Sequence, residues 1–275
     1  MKKVRIFARN KAAVVGVLIL AIFVFVAIAA PLLTPYDPIA QDLNSVFQSP
    51  SWAHPFGTDD LGRDMLARIM YGGRYTLMIG VAAVALATVI GVPLGLISGY
   101  FGGWVDMVIQ RITDIMLAFN PFLLALVLVS VLGVGLKSVI IAAGIGVVPQ
   151  FIRLARGQAL SLREEVYVEA AQAFGEKSVT IITKHLLRNS WTPIIVFATL
   201  NVGLTILVAA GLGFLGLGVQ APLPEWGTML GEGRSYIFYA SYTSTLPGLA
   251  IFLSVLAFNM AGDGLRDALD PSLRV

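Results

Sequence analysis

Apolar residues in this chain come in long blocks, and charged residues collect in the stretches between them. Ala12 to Tyr36, Thr76 to Val105, Asn189 to Pro224 and Ser235 to Gly262 carry no charge at all. Each is long enough for the ~20 residues that cross a bilayer as a helix. Trp104 to Leu136 has the same length, with Asp106, Arg111 and Asp114 near its start and Pro121 inside; Ser138 to Ile152 is a shorter apolar run containing Pro149. The pattern predicts an all-α, polytopic transmembrane bundle of six spans.

Detail within the runs refines that picture. Pro31, Pro35 and Pro38 end the first run, and a polar segment over 37–74 follows. Inside it, Leu61 to Tyr71 alternates at helical spacing after Thr58-Asp59-Asp60, which predicts a short amphipathic helix closed by Gly72-Gly73 and lying on the bilayer. Asp64 and Arg68, four apart, are placed to pair. Gly91, Gly95 and Gly99 recur every four residues and predict one smooth helix face for close packing, with a kink at Pro93. Asp106, Gln110 and Asp114 share a side of their helix. They read as end anchors and local partners, or as the lining of a pathway. Arg153 and Arg156 are placed to snorkel to the interface.

Composition agrees with a membrane protein: the 275 residues are 57% hydrophobic and 13% charged, with a mean hydropathy of +0.83. The net charge of +3 does not point to nucleic acid, because the basic residues are scattered over separate loops without an aromatic platform. There is no cysteine and only two histidines, His54 and His185. That excludes thiol redox chemistry and a cysteine or multi-histidine metal site, and each lone histidine reads as a surface residue. Lys2, Lys3, Arg5, Arg9 and Lys11 precede the first run, in which Ala27-Ile28-Ala29 fits a signal-peptide cleavage site. The run exceeds the ~7–15 residues of a cleavable core, so an uncleaved helix over 12–36 is expected. With six spans and the amino terminus inside, fourteen of the nineteen Lys and Arg lie inside. The positive-inside rule then places 1–11, 153–188 and 263–275 in the cytoplasm.

The stretch from Arg153 to Arg188 is the one long charged segment between apolar runs. Ser161-Leu162-Arg163-Glu164 fits a capping box, which predicts a helix from Leu162 with its apolar face at Leu162, Val166, Ala170 and Ala173. Gly175 supplies the left-handed residue that ends it, and Glu176 to Arg188 favours a second helix.

Glu169-Ala170-Ala171, three residues and then Gly175 resemble the EAA loop of ABC-importer membrane subunits. The wider run Tyr167 to Gly175 is similar to the dipeptide/oligopeptide/nickel permease branch. So are His54 to Asp64, the run Phe214 to Gly227, and Leu256 to Pro271. The usual loop tail, Ile-x-Leu-Pro, is replaced here by His185-Leu186-Leu187-Arg188. The resemblance implies a bacterial or archaeal plasma (inner) membrane subunit that imports peptides, with nickel, glutathione or another small solute as alternatives. It implies a second, homologous permease, two cytoplasmic ATPase subunits and an extracytoplasmic binding protein as partners. Glu169, Ala170, Ala171 and Gly175 would then couple the chain to the ATPases. ATP and Mg would be bound by those partners, and no cofactor by this chain.

Other motifs fail on context. Gly211, Gly213 and Gly216 fit G-x-G-x-x-G but follow no strand pattern, and Gly175 to Ser178 lacks the glycine spacing of a phosphate loop. An ion channel or secondary transporter would need carboxylates or histidines in mid-span, and a membrane-embedded enzyme a nucleophile-base pair. The centres of these runs hold almost none.

Overall fold

The computed structural model describes residues 10–269, all of whose regular elements are helices. The head over 1–9 and the tail over 270–275, both expected in the cytoplasm, lie outside the described residues.

Helix α1 spans Lys11–Leu33, started by the Asn10 side chain accepting from the Ala13 amide. Helix α2 runs Met65–Phe101, and a left-handed Gly102 separates it from α3, Gly103–Leu117. Helix α4, Pro121–Leu132, is capped by Asn120 with Pro121 in its first turn and is bent 91° from α3. Helix α5 is Leu136–Arg163, α6 is Val166–Ala173 and α7 is Ser178–Phe214, whose segment Ile181–Leu187 is π-helical. Helix α8, Trp226–Gly233, leads through a 3₁₀ turn to α9, Tyr242–Leu269.

Five helices are long and apolar enough to cross a membrane, and the bent pair α3–α4 makes a sixth. Packing shows that the pair is one crossing. A Cβ at Gly144 would meet Ala83, one at Gly91 would lie 2.6 Å from Phe151 Cβ, and one at Gly99 would lie 2.6 Å from Ala159 Cβ. Both sequences advance together, so α2 and α5 are parallel. A chain that leaves α2 at one end and enters α5 at the other must traverse the bundle between them. The expected glycine face is therefore the seam of the α2–α5 pair, where the Gly95 position touches the Ile152 carbonyl.

The ends sort accordingly. Asn10 donates to Asp267 (2.9 Å), and Gly16 sits where a Cβ would be 2.7 Å from Met260 Cβ, so α1 lies along α9 with both ends of the described chain together. That end also holds Gly102, Arg163 and α6. The opposite end carries a cap made of 34–64 laid on 225–245.

The cap corrects the reading of 61–74. No separate interfacial helix forms, because α2 continues through Gly72-Gly73. At ~55 Å, α2 exceeds the ~30 Å hydrocarbon core and its first turns belong to the cap. The glycines are a notch: added Cβ atoms would lie 2.9 and 3.1 Å from the Trp226 ring, whose Nε1 donates to the Ile69 carbonyl (2.9 Å). Nor do Asp64 and Arg68 pair. Asp64 caps α2 through the Ala67 amide (2.7 Å) and holds His54 Nδ1 at 2.9 Å. His54 is thus a half-buried tie within the cap, since its ring also lies 4.7 Å from that of Tyr36.

Arg68 instead meets Asp59 (3.3 Å) and Glu232 (3.2 Å), while Arg63 meets Asp59 (2.6 Å). Both guanidinium groups are almost fully buried, so the cap is closed by ions that are paired on every side. Burial pushes the Glu232 carboxyl above its ordinary value of 4.5, although Arg68 and Arg63 pull it back. A carboxyl with a raised folded pKa contributes stability that is fully present below the ordinary value and is lost as pH rises through the raised one. Glu232→Gln should therefore gain thermal stability relative to the unchanged protein as pH climbs above 4.5, and match its trend below. A variant that loses stability relative to the unchanged protein as pH rises above 4.5 would contradict this.

Glu225 is buried at the start of α8, where it accepts from Thr76 Oγ1 (3.0 Å) and from the Gly227 and Thr228 amides (2.9 Å each). Gly213 and Gly227 lie where a side chain would collide with this turn and with Ala210. In the G-x-G-x-x-G run, Gly211 and Gly213 thus serve helix packing, and Gly216, at φ +78°, serves the turn that ends α7.

Candidate functional site: the helix between α5 and α7

The charged stretch folds differently from its expected capping. Helix α5 does not end at Ser161; it runs to Arg163, and Glu165 precedes the first turn of α6 with no side-chain cap. Arg153 and Arg156, expected to reach the interface, are neutralised by α3. Arg156 makes two bonds to Asp106 (2.6 and 2.7 Å), Asp106 also accepts from Ser98 Oγ, and Arg153 reaches Asp114 at 2.8 Å. Local pairing is thus the role of Asp106 and Asp114. Gln110 joins them by donating to Ser98 (2.9 Å).

Helix α6 ends as its glycine requires. The Gly175 amide donates to the Gln172 carbonyl (2.9 Å) and the Glu176 amide to the Ala171 carbonyl (3.0 Å), the paired bonds of a Schellman turn. Gly175 has φ +76° and open space around it, so backbone conformation alone selects glycine. The second helix of the stretch is no separate element. It is the start of α7, which passes through Arg188 and Pro193 without interruption, so the missing loop proline costs no boundary.

The buried face of α6 also differs from the periodicity. Only Val168 is fully buried, and Ala171 packs against the core beside it. Val166 is 78% exposed and Phe174 91%, with Glu169, Ala170 and Ala173 open between them. Burying Val168 stabilises the attachment by about 1.5–3 kcal/mol. Four apolar residues on the outward face oppose it, which is the reverse of a solvated surface helix. Of the expected coupling residues, Glu169 and Ala170 face outward, Ala171 faces inward and Gly175 sets the turn. Val166 and Phe174 were missed because helical periodicity assigns apolar residues to the core.

His185 is no isolated surface histidine. Its Nε2 lies 2.9 Å from Glu176 Oε2, and its ring is 6.1 Å from that of Tyr167, whose hydroxyl accepts from Asn189 Nδ2 (3.0 Å). Among the described residues no group of three or more His, Cys, Asp or Glu could hold a metal.

The chain is thus a multi-pass helical bundle with an exposed, anchored short helix at one end and a cap closed by buried ion pairs at the other. The chain belongs to the family of binding-protein-dependent transport system inner membrane components, whose profile matches residues 91–275. Residues 3–50 match the N-terminal TM domain of oligopeptide transport permease C. The chain is 52% identical over 266 residues to a dipeptide transport system permease protein of Alkalihalophilus pseudofirmus, covering 97% of this chain and 88% of the relative. It is 44% identical over 271 residues to a glutathione transport system permease protein of Pectobacterium atrosepticum, covering 98% and 90%. The fold matches a chain of the MetNI methionine ABC transporter in an inward-facing conformation with a TM-score of 0.61 at 21% identity, over 75% of this chain and 98% of that one. An importer permease of this class works with a partner permease and with ATPase subunits.

Proposed function

We infer that the chain is a dipeptide or oligopeptide permease subunit whose helix α6 docks onto a cytoplasmic ATPase. The observation that carries this reading is the outward apolar face of α6, from Val166 to Phe174, held on an anchor at Val168. A contiguous exposed apolar face on a short helix marks a surface for another protein to cover. Glu169 adds one charge to that surface for specificity, and Ala170 permits close backbone approach. The peptide substrate rests on the 52% identity to a dipeptide permease. Glutathione is itself a short peptide, so the second relative favours the same solute class. The binding protein, extracytoplasmic by this reading, would meet the cap. The second permease would share the path, and ATP with Mg would belong to two ATPase subunits.

The distribution of Lys and Arg supports a cytoplasmic side for α6 and both chain ends. A cysteine at Gln48 should therefore be labelled by an impermeant maleimide on intact cells, and one at Lys177 only after permeabilisation. Reversed labelling would overturn the docking reading. Affinity purification of the chain from cells expressing its partners should bring the ATPase with it, whereas the pure chain alone should hydrolyse no ATP.

A further inference from the structure

Docking by α6 does not by itself say which spanning helix receives the motion, and the side chains around His185 answer that. Helix α6 has eight residues, too short to hold its shape alone. Covalently it hangs between α5 and α7. Apolar packing at Val168 and Ala171 joins α6 to the shared core, but its polar attachments are one-sided. Among the described residues, no side-chain hydrogen bond or ion pair joins 166–176 to α5, and two join it to α7.

The first is at the beginning of α6, where Asn189 donates to the Tyr167 hydroxyl. The second is just past its end, where His185 meets Glu176. Asn189 Nδ2 also donates to the His185 carbonyl (2.8 Å), and the Tyr167 ring lies against the His185 ring, so the two ties form one cluster. A rod fixed at both ends to residues 185–189 cannot pivot about the Gly175 turn.

The π-helical segment places this cluster. In an α-helix Ile181 and His185, four apart, would share a face. Here the buried pair is Ile181 and Leu186, five apart, at 1% and 0% exposure. The wider turn keeps both aliphatic anchors in the core and leaves His185 at the edge, facing Glu176. Insertions of this kind recur at functional positions in helices.

We propose that Tyr167, Glu176, His185 and Asn189 are positioning residues that fasten the docking helix to α7, so that displacement of α6 is delivered to α7 in preference to α5. This rests on the docking reading, and the two are separable. The whole importer, with both permeases, ATPases and binding protein, is reconstituted in proteoliposomes carrying His185→Ala with Asn189→Ala. Bound ATPase, ATP turnover and solute uptake are measured together. The ATPase should remain at its normal ratio and continue to hydrolyse ATP, while solute moved per ATP falls about 5- to 150-fold, the range of an ordinary coupling free energy. Glu176→Gln, which keeps an acceptor for His185, should transport nearly normally. Exchanging the pair, Glu176→His with His185→Glu, should restore transport lost in either single change.

Unchanged transport per ATP in the double alanine variant would overturn the proposal. So would loss of the ATPase from that variant, since the cluster would then serve attachment and not transmission. Glu169→Lys is the separate arm: if it leaves ATPase attachment untouched, the docking reading fails whatever the cluster does.

Discussion

Gly175→Val should abolish uptake while leaving the membrane bundle assembled. At φ +76° a β-branched residue is strained by about 1–2 kcal/mol or more. The open space around Gly175 means that no collision adds to this. The strain is relieved only by turning the backbone, which breaks the bonds from the Gly175 and Glu176 amides to Gln172 and Ala171. The same turn carries Glu176, so turning the backbone also draws it from His185, and α6 loses its direction relative to α7. The spanning helices do not use this turn, so the amount of permease pair should stay normal. The ATPase should be bound more weakly, and accumulation of a radiolabelled dipeptide should fall to background. Normal accumulation at normal expression would show that the turn carries no load.

Gly95→Leu should fail earlier, at folding. The Gly95 Cα faces the Ile152 carbonyl and Ala155 in the α2–α5 seam, and any Cβ there strikes backbone. Backbone cannot step aside as a flexible side chain can, so the two helices must separate. Overpacking of a core costs typically about 1–3 kcal/mol, and a forced helix separation belongs at or above the upper end. The variant should accumulate poorly and melt at lower temperature in detergent. Gly157→Ala is the control on the same helix α5, because nothing lies within 4 Å of its added Cβ. Helix propensity favours alanine there by about 1 kcal/mol, so that variant should be at least as stable. Equal stability of the Gly95→Leu protein would refute the parallel α2–α5 seam.

Much of this architecture was legible in the residues. Long uncharged runs marked the spans, the four-residue glycine repeat marked the seam, and Gly175 marked the end of α6. Helix ends were less legible, for one physical reason. A polar residue stops an apolar run but need not stop a helix. Arg153 and Arg156 continue α5 because Asp114 and Asp106 neutralise them from another helix, and no local rule pairs residues 39 and 50 positions apart. Gly72 and Gly73 looked like a stop because their partner, Trp226, lies 154 and 153 residues on. Ser161 fitted a capping box, yet capping requires a first turn beginning there, and α5 was already helical.

Both histidines carried the same difficulty. Each looked unpaired in sequence, and each meets a carboxylate nine or ten residues away across a turn, His54 with Asp64 and His185 with Glu176. The outward face of α6 was hidden by the strength of the usual rule. Apolar periodicity marks a buried face, but it does not say whether the chain itself or a partner does the burying. Val166 and Phe174 belong to the second case.

That distinction is the centre of the account, and photo-crosslinking addresses it directly. A photoreactive residue at Ala170, in the middle of the outward face, is irradiated in membranes containing the complete transporter. The account expects a covalent adduct between this chain and the ATPase subunit, absent when the same probe stands at buried Val168. Adducts with lipid alone, or none, in a transporter that still imports solute would contradict it.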